Sequence, residues 1–169
     1  MKYIKLSFIA IGCLLITAFT FKFNEKQSSL ELKGHIFHQE TKIENALVKL
    51  YQDNTIVQKI HTKKSGKFQF LLFSNMDYSI EIEMENYITE RIKISTKTKT
   101  EFGGKYLYEF RVDLMKATKF KGVDISNLDF PTAIINYDEK FGEYVHNKTY
   151  AKEVKEEMKR LKEEARNIK

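Results

Sequence analysis

Over residues 78–85 the chain alternates strictly, with Tyr78, Ile80, Ile82 and Met84 against Ser79, Glu81, Glu83 and Glu85. A period of two predicts a strand with one buried and one wet face. Similar short runs rich in β-branched, aromatic and aliphatic residues occupy 30–38, 46–51, 56–62, 67–73, 88–95 and 106–114. Turn signals such as Asp53-Asn54, Ser65-Gly66, Asn75-Met76-Asp77, Glu85-Asn86 and Gly103-Gly104 separate them. Gly103-Gly104 reads as a hairpin turn between its flanking strands. Seven strands at this spacing predict an all-β sandwich or barrel. In residues 91–95, Ile92 and Ile94 alternate with Arg91, Lys93 and Ser95, so an antiparallel hairpin would set cations opposite the glutamates.

After Leu114 the pattern breaks. Residues 116–147 read as an irregular extension, within which 130–137 form a further extended segment. From 148 the period changes: Ala151, Val154, Met158, Leu161, Ala165 and Ile168 recur at spacings of three and four, an amphipathic helix with Thr149 as the expected N-cap. The stripe is too short and too thin in alanines for a coiled-coil seam. It predicts a helix docking on its own domain or on a partner, with Val154, Met158, Leu161 and Ile168 as the candidate contacts.

At the other end, Lys2 and Lys5 precede an uncharged apolar run over 6–21, closed by Lys22. This is the layout of a secretory signal. As a helix the run would span about 24 Å against a hydrocarbon core of about 30 Å. That favours a cleaved signal, with the bond after Ala18 as the site, over a short permanent anchor. Cys13 follows Ala10-Ile11-Gly12 in a loose lipobox, but the apolar run continues well past it, unlike a lipoprotein. As the lone cysteine it also rules out an intramolecular disulfide. Export to the periplasm or outer membrane, with membrane contact only through this segment if uncleaved, is the expectation. The organisation is therefore 1–21 targeting segment, 22–29 linker, 30–115 sandwich, 116–147 extension and 148–169 helix.

Charge adds little. The formal net charge of +6 falls to about +4 when Lys2 and Lys5 leave, and Lys and Arg are interleaved with Glu throughout. A nucleic-acid binder would gather its cations on one face. No nucleic-acid partner is expected.

The search for chemistry returns no catalytic, cofactor-binding or metal residues. His35 and His38 point to opposite faces of one strand, and His61 and His146 stand apart. Glu81, Glu83 and Glu85 lack the unlike environments an acid and base pair needs. Residues 124–129 fail the EF-hand pattern, leaving Asp124, Asp129 and Asp138 as an irregular calcium alternative. No nucleophile elbow, phosphate loop or zincin motif occurs.

Gly34-His35-Ile36, Ala46-Leu47-Val48-Lys49-Leu50-Tyr51, Ser65-Gly66-Lys67-Phe68-Gln69-Phe70, Tyr78-Ser79-Ile80-Glu81-Ile82 and Asn86-Tyr87 resemble the carboxypeptidase regulatory-like domain. The resemblance implies a transthyretin-like (prealbumin-like) seven-stranded β-sandwich that supplies no catalytic residues. Two positions depart from the pattern. Lys64 or Ser65 stands where the turn usually has aspartate, and Asn86 stands for a glycine, a mild change because Asn tolerates the left-handed conformation. The tail over 113–162 is similar to that of small exported proteins of Gram-negative bacteria. The resemblance implies a stand-alone, non-enzymatic scaffold or protein-interaction module of the cell envelope. The alternative is a glycan- or peptide-binding accessory module using Tyr106 and Tyr108.

Overall fold

The computed structural model describes residues 29–99, 104–125, 128 and 130–168. The expected targeting segment, Gly103 and Asp129 lie outside them. The seven expected runs form β1 (Ser29–His38), β3 (Leu47–Gln52), β4 (Thr55–His61), β5 (Lys67–Phe73), β6 (Asp77–Glu83), β7 (Glu90–Ser95) and β8 (Lys105–Asp113). A two-residue β2 (Thr41–Lys42) follows β1, and the extension contributes β9 (Ala133–Asp138) and β10 (Glu143–His146).

The strands make a two-sheet β-sandwich. In the first sheet β1 lies between β5, antiparallel to it, and β8, parallel to it, with β2 pairing the end of β1. The second sheet has the order β10-β9-β7-β6-β3-β4. The alternation translates directly into burial: Leu30, Leu32, Ile36, Val48, Phe70, Leu72, Ile80, Ile82 and Ile94 are sealed between the sheets. At roughly 1.5–3 kcal/mol for each fully buried large apolar side chain, this core dominates the fold.

Two buried threonines tie the connections to the core. Thr62 Oγ1 donates to the Ile43 carbonyl (2.8 Å) and accepts from the Ala46 amide (3.0 Å). Thr96 Oγ1 donates to the Phe73 carbonyl (2.7 Å) and accepts from the Met76 amide (3.0 Å). Gly34 is required by contact, since a Cβ there would lie 2.0 Å from the Phe68 ring. Gly66 and Asn86 adopt left-handed φ values of 64° and 68°, which a turn needs and which glycine and asparagine tolerate.

Two expectations about connections need correction. The extended segment expected over 130–137 is β9, but the extension is not separate from the sandwich, because β9 pairs in parallel with β7 and extends the second sheet. Gly104 does not close a β7–β8 hairpin. The chain crosses between sheets there, β7 pairing with β6 and β8 with β1. Consecutive alternating runs look alike whether they pair with each other or with distant strands, so the sequence could not distinguish the two.

After β10 the chain forms α1 (Lys148–Asn167). Its cap is Asn147, whose side chain accepts the Tyr150 amide (3.0 Å), not Thr149. Asn147 also donates its own amide to the Ile134 carbonyl (2.8 Å), so β9 positions the cap. Val154, Met158 and Leu161 are buried against Ile88, Phe120, Val123 and Leu128, a second, smaller core beside the sandwich. Phe120 ends a short 3-10 turn, Ala117–Phe120. Ile88, expected in a strand, instead bonds the Met115 carbonyl with its amide (2.9 Å) and belongs to this second core.

Candidate functional site

The outer face of the second sheet carries its densest polar cluster. Ladder register places Glu81 opposite Lys49 on β3 and Arg91 on β7. Lys49 Nζ reaches Glu81 (3.1 Å) and Glu83 (2.5 Å), Arg91 reaches Glu81 (3.0 Å), and the Tyr51 hydroxyl donates to Glu81 (3.1 Å). Burial pushes the Glu81 carboxyl up. The hydrogen bond from Lys49, those with Glu83 and Tyr51, and the charge of Arg91 outweigh that and hold it below the usual carboxylate value. The Lys49 ammonium is correspondingly held above its ordinary value, chiefly by the hydrogen bond to Glu83. Glu81 and Lys49 thus both favour their charged forms, while burial and the bond to Glu81 push the Tyr51 phenol up and keep it neutral. An acid and base pair instead needs its two members pushed apart. The cluster fixes register. The Arg91 contact follows from the alternation, whereas Lys49 was missed, because its placement depends on β3 being the other neighbour of β6.

Two shallow hollows adjoin this face near the second core. One, of about 540 Å³, is lined by Asn45, Leu47, Glu83, Met84, Glu85 and Thr89. The other, of about 430 Å³, lies between Tyr87, Thr89 and Arg91 on one side and Ala117, Ile125 and Leu128 on the other. Between the two regions Glu90 is buried. Its carboxyl is pushed up by burial, against opposing pulls from the Thr132 hydrogen bond and the charge of Lys162 on α1.

The expected ligand aromatics face inward. Tyr106 packs edge-on against Tyr137 and Tyr144, at centroid distances of 5.4 and 5.5 Å, and its hydroxyl lies 3.4 Å from that of Tyr137. The Tyr137 phenol is pushed up to about 12, first by the hydrogen bond with Tyr106. Tyr144 reaches about 12 through burial. Tyr108 is half-buried and lies 6.0 Å from the Phe110 ring. Alternation on β8 turns Tyr106, Tyr108, Phe110 and Val112 to the core and leaves Lys105, Leu107, Glu109 and Arg111 outside.

The candidate partner helix is likewise occupied by its own chain. Val154, Met158 and Leu161 are covered by the second core, and of the four residues only Ile168 is exposed. The histidines separate as their spacing requires: His35 pairs with Glu109 on the outer face (2.6 Å), and His38 Nδ1 bonds the Leu114 carbonyl (2.9 Å). The Asp138 carboxylate accepts the amides of Lys140 (2.9 Å) and Phe141 (3.3 Å) in its own turn. Among the described residues no group of three or more His, Cys, Asp or Glu side chains is arranged to hold a metal ion. No helix among them is long and apolar enough to cross a membrane.

β4 offers a different kind of surface. It is the outer strand of the second sheet, paired with β3 on one side only, and six of its seven residues are exposed. Ile56 and Val57 are among them. An edge strand presents unpaired backbone groups to any extended segment that meets it.

No family model matches the chain, and no curated protein matches it. Solved structures resemble part of it. A DUF3823 family protein from Parabacteroides merdae is 16% identical, with a TM-score of 0.37 over 53% of this chain and 47% of that one. Catechol 1,2-dioxygenase from an Acinetobacter species is 12% identical, with a TM-score of 0.40 over 66% of this chain and 59% of that one. The 5-hydroxyisourate hydrolase of Klebsiella pneumoniae is 14% identical, with a TM-score of 0.33 over 52% of this chain and 97% of that one. The chain thus spans about half the length of the Parabacteroides protein, and enzymes stand among its partial likenesses.

Proposed function

We propose that the protein is a non-enzymatic, exported scaffold and protein-interaction module of the cell envelope, built on a carboxypeptidase regulatory-like sandwich of the transthyretin type. The observation that carries this reading is the open β4 edge, with Ile56 and Val57 exposed on a strand whose outer side has no partner among the described residues. Strand addition on such an edge uses backbone hydrogen bonds for affinity and side-chain positions for specificity. The motif residues support the family assignment by having physical roles: Gly34 admits the Phe68 ring, and Gly66 and Asn86 take left-handed turns.

The test is photo-crosslinking in the cells that make the protein, with a benzophenone amino acid at position 57 and, as control, at the exposed helix position 155. The reading expects a discrete adduct with one envelope protein from position 57 and none from 155. Replacing Ile56 by Lys should remove an adduct formed from position 59 without changing the β-sheet circular dichroism. The same adducts from both sites, or none from 57, would overturn it.

A further inference from the structure

A second apolar surface lies at the end of the sandwich where Ser29 begins β1. β1 is flanked by β5 and β8, and register sets Ser29 opposite Phe73 and Lys105, and Glu31 opposite Leu71 and Leu107. Opposed residues share a face. Leu71 (56% exposed), Phe73 (46%) and Leu107 (58%) therefore stand together on the outer face of the first sheet, around the strand that continues the N-terminal part of the chain. Glu31 between them is joined to Lys33 (2.9 Å) and Gln69 (2.8 Å).

The β9–β10 turn reaches the same end. β9 runs parallel to β7, whose last residue, Ser95, lies opposite Asp77 at the start of β6, just past Phe73. Glu139 in that turn accepts the Lys99 amide (2.6 Å), and the Ser29 amide donates to the Gly104 carbonyl (3.0 Å). The turn carries Phe141, the most exposed large apolar side chain among the described residues at 66%, with the Lys140 ammonium 5.3 Å from its ring centroid. Two acidic groups at this end are paired: Asp138 with its own turn amides and the partly exposed Asp77 with Lys97 (2.7 Å).

We propose that this end of the sandwich rests on a lipid bilayer, its Leu71, Phe73, Leu107 and Phe141 side chains entering the interfacial layer while Lys105 and Lys140 reach back to the headgroups. The position of Ser29 favours lipid over a second copy or a soluble partner. Residues 6–21 are apolar and uncharged, and the seven residues between that run and Ser29 span at most about 25 Å. A bilayer holding the run would thus face the patch without any further element. Exposed apolar patches mark contact surfaces, and long basic side chains bury their stems while keeping the charge in water. The inference takes the anchor alternative, in which residues 6–21 stay in the bilayer rather than being cleaved away. It rests on export to a membrane and is independent of the β4 reading.

The chain contains no tryptophan, so single Trp reporters test it cleanly. The full chain, as Phe73→Trp, Phe141→Trp and Ile168→Trp, is placed in phosphatidylethanolamine and phosphatidylglycerol vesicles with brominated acyl chains. Ile168 lies beside Gly122, at the end of α1, and serves as the control outside the patch. Interfacial burial predicts emission reduced by about half at positions 73 and 141 and little changed at 168. Replacing Leu71 and Leu107 together by Asp should restore emission at 141 with the β-sheet signal intact. Equal quenching at all three positions, or none at 73, would overturn the proposal. So would dimer formation through Leu107→Cys without quenching, which would assign the face to a second copy. Intact mass shows whether residues before Ser29 are retained. A retained segment with no quenching at 73 sinks the surface and leaves export standing. A cleaved product must still be quenched at 73 for the proposal to survive.

Discussion

The two apolar cores of this protein are built differently. Between the sheets Leu32, Ile36, Val48, Leu72, Ile80, Ile82 and Ile94 reach complete burial, and ladder hydrogen bonds hold their strands on both flanks or one. The second core gathers Ile88 from a loop, Phe120 from a 3-10 turn, Val123 from irregular backbone, Leu128, whose amide makes a 3-10-type bond to the Ile125 carbonyl (2.9 Å), and Val154, Met158 and Leu161 from a helix, several of them with 6–9% of their surface still exposed. Backbone bonds from Ile88 to Met115 (2.9 Å) and from Ala117 to Asn86 (2.9 Å) tie its loop to the 3-10 turn, and α1 meets them through side-chain contact. Regions with few ladder bonds and small apolar contacts open at lower free energy than the global unfolding of the domain.

Substitutions in each core can break that contrast. Phe70→Ala should cost about 3–5 kcal/mol and unfold the sandwich as one cooperative unit, so that far-ultraviolet and tyrosine signals melt together in urea. Leu161→Ala should cost about 2–5 kcal/mol at its own core. Here the helical signal should vanish at lower urea than the β signal, and coincident transitions would show instead that the two cores are one. Asn147→Ala removes the cap of α1, at about 1 kcal/mol, and should raise amide exchange in the first helical turn while leaving β6 protected.

Glu90 allows a pH test of the seam between the cores. Burial raises its folded pKa above the unfolded carboxylate value, so the folded state holds the proton more tightly. Between those two values stability falls as pH rises, and it levels off above the folded value. Glu90→Gln should remove that slope and stabilise the protein at neutral pH by on the order of 1 kcal/mol. A destabilised variant would mean that the charge of Lys162 holds Glu90 ionised. The smallest effect is expected on the outer face, where a double-mutant cycle of Lys49→Ala and Glu81→Ala should give a coupling of about 0.2–1 kcal/mol.

Legibility in the sequence follows the same division. Strands β1 and β3 to β8 could be read because alternation is a local property of each run. The inward turn of Tyr106 and Tyr108 and the separation of His35 from His38 follow from parity alone. The β8 crossing, the β9–β7 pairing and the Lys49–Glu81 contact could not be read, since each depends on which strands become neighbours. The helix was visible from its stripe, but the cap was misplaced by two residues. Asn147 and Thr149 are both competent caps, and the strand register that draws the Asn147 amide to Ile134 chose between them.

By itself the sequence determined that residues 30–114 supply the strands of a sandwich or barrel, which face of each strand is wet, and that an uncharged apolar run precedes them, because period and composition act over a few residues. Only the tertiary structure decided that the helix stripe is used by its own chain, that β4 is left as an edge, and that Leu71, Phe73 and Leu107 meet around Ser29. Those outcomes depend on how strands distant in sequence are ordered, and no local pattern carries that order.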